Sequence, residues 1–311
     1  MQWNTIRPFT VLNENEASMI RLEFDIALNY EVTGAQSDFI FNIHAAQTGH
    51  QSVVNEQLYL SQPITPVIYT DSTYGTRYMR LQAVPGPLTI RYDATVDISH
   101  YVESPENLVE VPISQLPSEV LPYIYPSRYC QSDRLGKLVT WEFAHAQAGY
   151  RRVQAIQDWV RQRTSFLPGS SNSTTSATDT IIDQAGVCRD FAHLMIALCR
   201  AMNIPARFVT GIDYGADPKL GPTDFHAYVE VFLSNRWYSF DPSGISPPMG
   251  LVRLGTGRDA ADASFATVFG SVKSFVPVIN IEAIDDPANG FTLPRHCTEA
   301  MSTHAALVQY Q

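Results

Sequence analysis

From Ile20 to Ile98 the chain alternates, imperfectly but repeatedly, between apolar and polar side chains, the period of a strand with one face turned inward. Segments 20–32, 37–45, 52–61, 76–83 and 87–98 carry the pattern. Turn formers divide them at Thr33-Gly34-Ala35, Asp71-Ser72 and Pro85-Gly86-Pro87. Short strands at this rhythm predict an antiparallel β-sandwich. The pattern changes over 99–131, where Pro105, Pro112, Pro117, Pro122 and Pro126 favour extended backbone over a long helix. The expected organisation is a β-rich domain over 1–115, a proline-rich connection over 116–131 and a second domain over 132–311.

From residue 132 the apolar period lengthens to that of a helix. Leu135, Leu138, Val139 and Phe143 follow it, and Val153, Ile156 and Val160, extended to Phe166, predict a second helix. The small polar stretch 169–180 (GSSNSTTSATDT) reads as a surface loop, and its Asn172-Ser173-Thr174 sequon as a chance match. The clearest helix covers 187–203. It places Cys188, Ala192, Met195, Cys199 and Met202 on one apolar stripe and ends at Asn203 and Pro205. Strands at 205–213, 225–233 and 236–241 follow, the last two joined at Ser234-Asn235. A helix followed by an antiparallel meander makes the second domain α+β.

Composition narrows the classes. A length of 311 residues allows two cores, and 45% hydrophobic with 17% charged residues is the balance of a globular protein. No run approaches the ~18 apolar residues of a membrane span. Residues 1–18 show neither the basic start nor the apolar core of a leader, so a cytoplasmic location is expected. A net charge of −10 argues against a nucleic-acid partner. Cys130, Cys188, Cys199 and Cys297 form no C-x-x-C pair and read as free thiols. No metal-ligand cluster, phosphate-cradling loop or dinucleotide fingerprint is present, and Asp213 with Asp217 is too sparse for a cation site. No cofactor or metal is expected.

The chemistry concentrates in the second domain. Cys188 follows Gly186-Val187 at the first turn of the predicted helix, where unpaired backbone N–H groups favour a thiolate and could hold an oxyanion. In the strand 225–233, His226 shares a face with Tyr228, Glu230 and Phe232, while Ala227, Val229, Val231 and Leu233 form an apolar face. Asp241 closes the next strand on the face of Trp237 and Ser239, beside His226, where a carboxylate can orient an imidazole. Taken singly, each has a plain structural reading: a buried cysteine, a strand histidine, a turn aspartate before Pro242. Their joint order points to a thiol triad.

The segments GVCRDFAHLMIALCRAMNIPARFVTG (186–211), DFHAYVEVFL (224–233) and RWYSFDPS (236–243) closely resemble the bacterial transglutaminase-like superfamily. The ordered Cys, His and Asp of that family fall on Cys188, His226 and Asp241. GRDAADASFATVFG (257–270) resembles the branch with an N-terminal β domain. The resemblance is specific over 125–275 and looser over the first hundred residues. It implies a papain-like α+β core and an acyl-enzyme mechanism, and leaves the reaction open among proteases, amidases, deamidating enzymes, cross-linkers and inactive members. The leading expectation is cysteine-dependent hydrolysis of peptide or isopeptide amides, with a peptide or protein as substrate. Acyl transfer to an amine and a non-catalytic binding module on the same fold are the alternatives.

Supporting positions are read on the same basis. Arg189 and Asp190 would orient substrate or pair within the first helical turn. Gln184 is a candidate second oxyanion donor, and Tyr228 accompanies His226. Arg258, Asp259 and Asp262 would form a buried ion network closing the site, or brace a loop. His193, ~140° around the helix from Cys188, is a poor second base. Trp159 and Trp237 read as core.

Overall fold

The alternation of the first hundred residues becomes two facing sheets. The computed structural model describes residues 19–216 and 223–307; residues 1–18, which bear on the expected location, and Asp217 lie outside them. The first strands are β1 (Ile20–Val32), β2 (Ser37–Phe41), β3 (Gln51–Leu60), β4 (Val67–Thr70), β5 (Arg77–Ala83), β6 (Gly86–Ile98) and the short β7 (Tyr101–Glu103). β1 and β6 pair antiparallel from Ile20 opposite Ile98 to Val32 opposite Gly86. Period two turns Leu22, Phe24, Ile26, Leu28 and Tyr30 inward, onto Phe39, Phe41, Met79 and Leu81 of the other sheet.

The second half runs α1 (Gly136–Phe143), α2 (Tyr150–Arg163), β8 (Ser165–Phe166), α3 (Ala177–Asp183), β9 (Ala185–Gly186), α4 (Cys188–Ala201), β10 (Ala206–Asp213), β11 (His226–Leu233), β12 (Arg236–Phe240), β13 (Leu251–Gly257) and α5 (Ala260–Ala263). The antiparallel order is β12-β11-β10-β13. α4 lies on β10 and β11, and Phe191, Leu194, Met195 and Leu198 join Phe208, Ala227, Val229 and Val231 in one core. Because α1, α2 and α3 also pack against it, α4 is buried at every residue from Asp190 to Arg200, well beyond one stripe.

Three boundaries differ from expectation. α2 ends at Arg163, and Phe166 instead lies in β8, paired parallel with β9. The stretch 169–180 is loop only to Ser176, whose N–H donates to Asp179 Oδ2 at 2.9 Å to begin α3. The third concerns the domains. After α5 come β14 (Ala266–Phe269), β15 (Val272–Ser274), β16 (Val278–Ile284) and β17 (Ala300–Ser302). β14 pairs with β2, and β15 and β16 pair with β1, so 266–284 complete the sandwich rather than belonging to the second domain over 132–311.

The two halves are fastened together at Gln51. Its side chain donates to the carbonyls of Ala46 (2.7 Å) and Arg253 (2.9 Å) and accepts from the Arg253 N–H (2.8 Å). Among the described residues no helix is long and apolar enough to cross a membrane.

Candidate active site

The nucleophile candidate is presented by a tight entry into α4. Gln184 leaves α3 in a left-handed conformation with φ of 51°, and Gly186 then passes so close to α4 that a Cβ there would lie 2.7 Å from Asp190 Cβ. The Val187 N–H donates to Asp190 Oδ2 at 2.9 Å, which fixes the residue before the helix. Cys188 is the first residue of α4 and is half-buried, with Sγ 3.8 Å from the carbonyl of Phe225. The N–H groups of Cys188 and Arg189 precede the helical hydrogen-bond ladder.

β11 brings His226 to the same place. The apolar face of β11 meets α4, as its sequence requires, and His226 begins the opposite face at the strand's end, directly after Phe225. His226 Nε2 stands 3.4 Å from Asp241 Oδ1, and both side chains are buried. That approach is held by charge more than by alignment, since Nε2 makes no well-directed hydrogen bond among the described residues. Through its contact with the Phe225 carbonyl, Cys188 lies against the strand start that carries His226, and its thiol is one of the groups that favour a charge on that imidazole.

Asp241 is itself fixed by the turn Asp-Pro-Ser-Gly-Ile-Ser. Ser243 donates to Oδ1 from its N–H (2.9 Å) and its hydroxyl (2.6 Å), and the N–H groups of Ile245 (3.1 Å) and Ser246 (3.5 Å) face Oδ2. Arg161 of α2 donates to the Asp241 carbonyl at 3.1 Å. Gly244, with φ of 67°, passes over the Arg161 guanidinium where a Cβ would come within 2.7 Å of Cζ.

The electrostatics favour a charged pair. Burial opposes a charge on His226, but the facing carboxylates of Asp241 and Asp213, with Cys188 adding to them, hold its pKa well above the usual value. Burial likewise pushes the Asp241 carboxyl up, yet His226 and Ser243 keep it below the usual range. Tyr228 packs its ring edge-on against His226, with centroids 4.5 Å apart.

Of the supporting positions, Asp190 and Tyr228 adjoin these residues. Arg189 braces a neighbouring loop, donating to Ser171 Oγ and to the Asn172 carbonyl (2.6 Å). Gln184 is exposed, and its side chain makes no hydrogen bond to the site among the described residues. The expected ion network does not close the site. Arg258, which is exposed, pairs with the half-buried Asp262 at 2.8 Å, and Asp259 caps α5 while accepting from the Tyr129 N–H at 2.9 Å. These groups adjoin the middle and far end of α4, through Ala260 with His193 and Arg258 with Arg200, rather than its Cys188 end. His193 accepts from the Ala260 N–H at 3.1 Å and lies stacked on Tyr129.

Asp213 and Ser246 adjoin His226 and Asp241 without having been expected there. Ser246 Oγ donates to Asp213 Oδ2 and shares a 2.9 Å hydrogen bond with the Tyr228 hydroxyl. Period two in β10, with Gly211 opposite His226, is the signal that places Asp213 on this face. Among the described residues no group of His, Cys, Asp and Glu side chains gathers as a metal site.

Comparison with known proteins gives a consistent picture. Residues 139–242 match the family model of the transglutaminase-like superfamily core, and residues 20–119 that of the bacterial transglutaminase N-terminal domain. The crystal structure of a "putative cysteine protease" from Cytophaga hutchinsonii is 38% identical, with a TM-score of 0.84, over 91% of this chain and 97% of that one. An uncharacterized protein of Mycobacterium leprae is 30% identical over 119 residues, 37% of this chain. The match spans 42% of that mycobacterial protein's own length.

Proposed function

Because the chain belongs to the transglutaminase-like superfamily, in the bacterial form with its own N-terminal domain, we propose that it is a thiol hydrolase of peptide or isopeptide amide bonds. The observation that carries this reading is the convergence of Cys188, at the start of α4 and 3.8 Å from the Phe225 carbonyl, on a strand whose next residue, His226, approaches Asp241 at 3.4 Å.

In this mechanism His226 holds the proton of the Cys188 thiol, and the thiolate attacks the amide carbonyl carbon. The oxyanion is received by the N–H groups of Cys188 and Arg189. His226 passes its proton to the leaving nitrogen as the C–N bond breaks, leaving a thioester on Cys188 and a free amine. Water then attacks the thioester carbonyl while His226 takes its proton; the C–S bond breaks, the carboxylic acid leaves, and the proton on His226 returns to the Cys188 sulfur. Asp241 keeps the ring oriented and stabilises its charged form throughout. The likeness to the Cytophaga hutchinsonii protein, named among cysteine proteases, favours water over an amine as the second nucleophile.

The test is a peptide and isopeptide library offered to wild type and Cys188→Ala, with a labelled amine present. Cleavage by wild type alone, with little amine incorporated, is expected. Cleavage retained without Cys188 would overturn the thiol mechanism, and incorporation exceeding cleavage would make the protein a transferase.

A further inference from the structure

We propose that Asp213 is a positioning residue of this site: a second buried carboxylate, joined to Asp241 through Ser246, that helps fix the charge and orientation of His226. Its catalytic consequence rests on the thiol chemistry proposed above.

The sheet register makes the case. β11 is flanked by β10 and β12. Gly211 of β10 is the cross-strand partner of His226, so Asp213, two residues on, lies on the same face and diagonal to the imidazole. From the other side, β12 pairs Phe240 with Val229, which puts Asp241 on that face too. The histidine thus has a carboxylate strand on each side.

Gly211 keeps this arrangement open. A Cβ there would stand 2.2 Å from the Val252 carbonyl and 2.4 Å from Leu251 Cδ1, so no side chain fills the position opposite the ring. The irregularity beside it falls on β13, where Thr210 and Gly211 pair with Gly255 and Arg253 and leave Leu254 as the extra residue. β10 therefore keeps its alternation through Asp213.

Ser246 ties the two acids together. Its N–H faces Asp241 Oδ2 at 3.5 Å, its hydroxyl donates to Asp213 Oδ2, and Tyr228, whose ring abuts His226, reaches the same hydroxyl at 2.9 Å. The groups around His226 are Cys188 from α4, Asp213 from β10, Asp224 just before β11, Tyr228 beside it and Asp241 after β12. Within that set only His226 can become a cation, and one imidazolium cannot neutralise two buried carboxylates at once. Burial pushes the Asp213 carboxyl up; His226 opposes that shift and Asp241 adds to it. As pH rises, ionisation of Asp213 adds negative charge beside the ring and delays its deprotonation.

The test needs no substrate. Histidine-labelled protein is titrated by NMR, with His226 assigned among the 8 histidines by the signal lost in His226→Gln. In Asp213→Asn, which keeps the shape and an acceptor for Ser246, the midpoint of His226 should move to lower pH. Ser246→Ala, which keeps both acids but removes the bridge, should shift it the same way. Wild-type midpoints in both folded variants would overturn the role, and if Asp213→Asn does not fold, Ser246→Ala decides alone. An unreactive Cys188 would defeat the proposed function, yet leave this titration readable.

Discussion

Asp190 reaches back from the first turn of α4 to accept the Val187 N–H at 2.9 Å, so a fully buried carboxylate fixes the residue in front of Cys188. It also accepts from Ser171 Oγ at 3.0 Å, which ties the 169–176 loop to the same point. Asp190→Ala removes an N-terminal helix contact that is worth about 0.5–2 kcal/mol. The variant should lose stability in urea by that amount or more, with a larger proportional loss in kcat/KM. Unchanged kinetics in a destabilised protein would show that the Asp190 clamp does not position Cys188.

Gly186 is the other half of that entry. Because a Cβ would press on Asp190 Cβ at 2.7 Å, Gly186→Ala should cost about 1–3 kcal/mol, the range for an overpacked core. Thermal unfolding measures it. A wild-type melting temperature would mean that β9 shifts away freely.

The pH dependence follows from two opposite shifts. Asp241 has a lowered folded pKa, so its stabilising contribution is present above its unfolded value of about 3.9 and is lost as pH falls through the lower folded one. His226 has a raised folded pKa, so its contribution is complete below about 6.5 and fades as pH climbs through the higher folded value. Activity should form a plateau between those two folded values. Asp241→Asn should move the alkaline limb to lower pH and reduce kcat/KM by about 10²–10⁴-fold. A profile superimposable on wild type would remove Asp241 from the mechanism.

A second buried ionic group stabilises the sheet. Glu230 of β11 is clamped between Arg207 Nη2 (2.6 Å) and Arg253, with all three side chains at most 2% exposed. Burial pushes the Glu230 carboxyl up, but the two guanidinium groups hold it far below the usual range. Glu230→Ala leaves two buried cations unpaired and should cost about 3–5 kcal/mol in urea unfolding. A cost under about 1 kcal/mol would mean that water or a rearrangement compensates.

What could be read from sequence depended on whether burial left a pattern. β1 and β6 alternate inside and outside, and α4 has an uninterrupted helical run, so both were legible. β13 (LVRLGTG) is buried on both faces and broken by glycines, which leaves no period to find. β4 fails for the opposite reason, since all of Val67–Thr70 is exposed. Cys188, His226 and Asp241 could be placed because a helix start and two adjacent strands bring them together locally. Asp213 needed the Gly211–His226 register and the Ser246 turn, which only the fold supplies. For Arg258 and Asp259 the sequence left site closure and loop bracing open, because it does not say which end of α4 they adjoin; their contacts fit the bracing role.

The return of β14, β15 and β16 to β1 and β2 has a topological consequence. The helices and the four-stranded sheet occupy a long excursion between two visits to the same sandwich, so the polypeptide closes on itself like a clasp. A fragment ending after residue 257 would leave β1 and β2 each with a bare hydrogen-bonding edge, a template for aggregation. The sandwich and the excursion should therefore melt as one cooperative unit, and neither matched stretch should behave as an independent folding module.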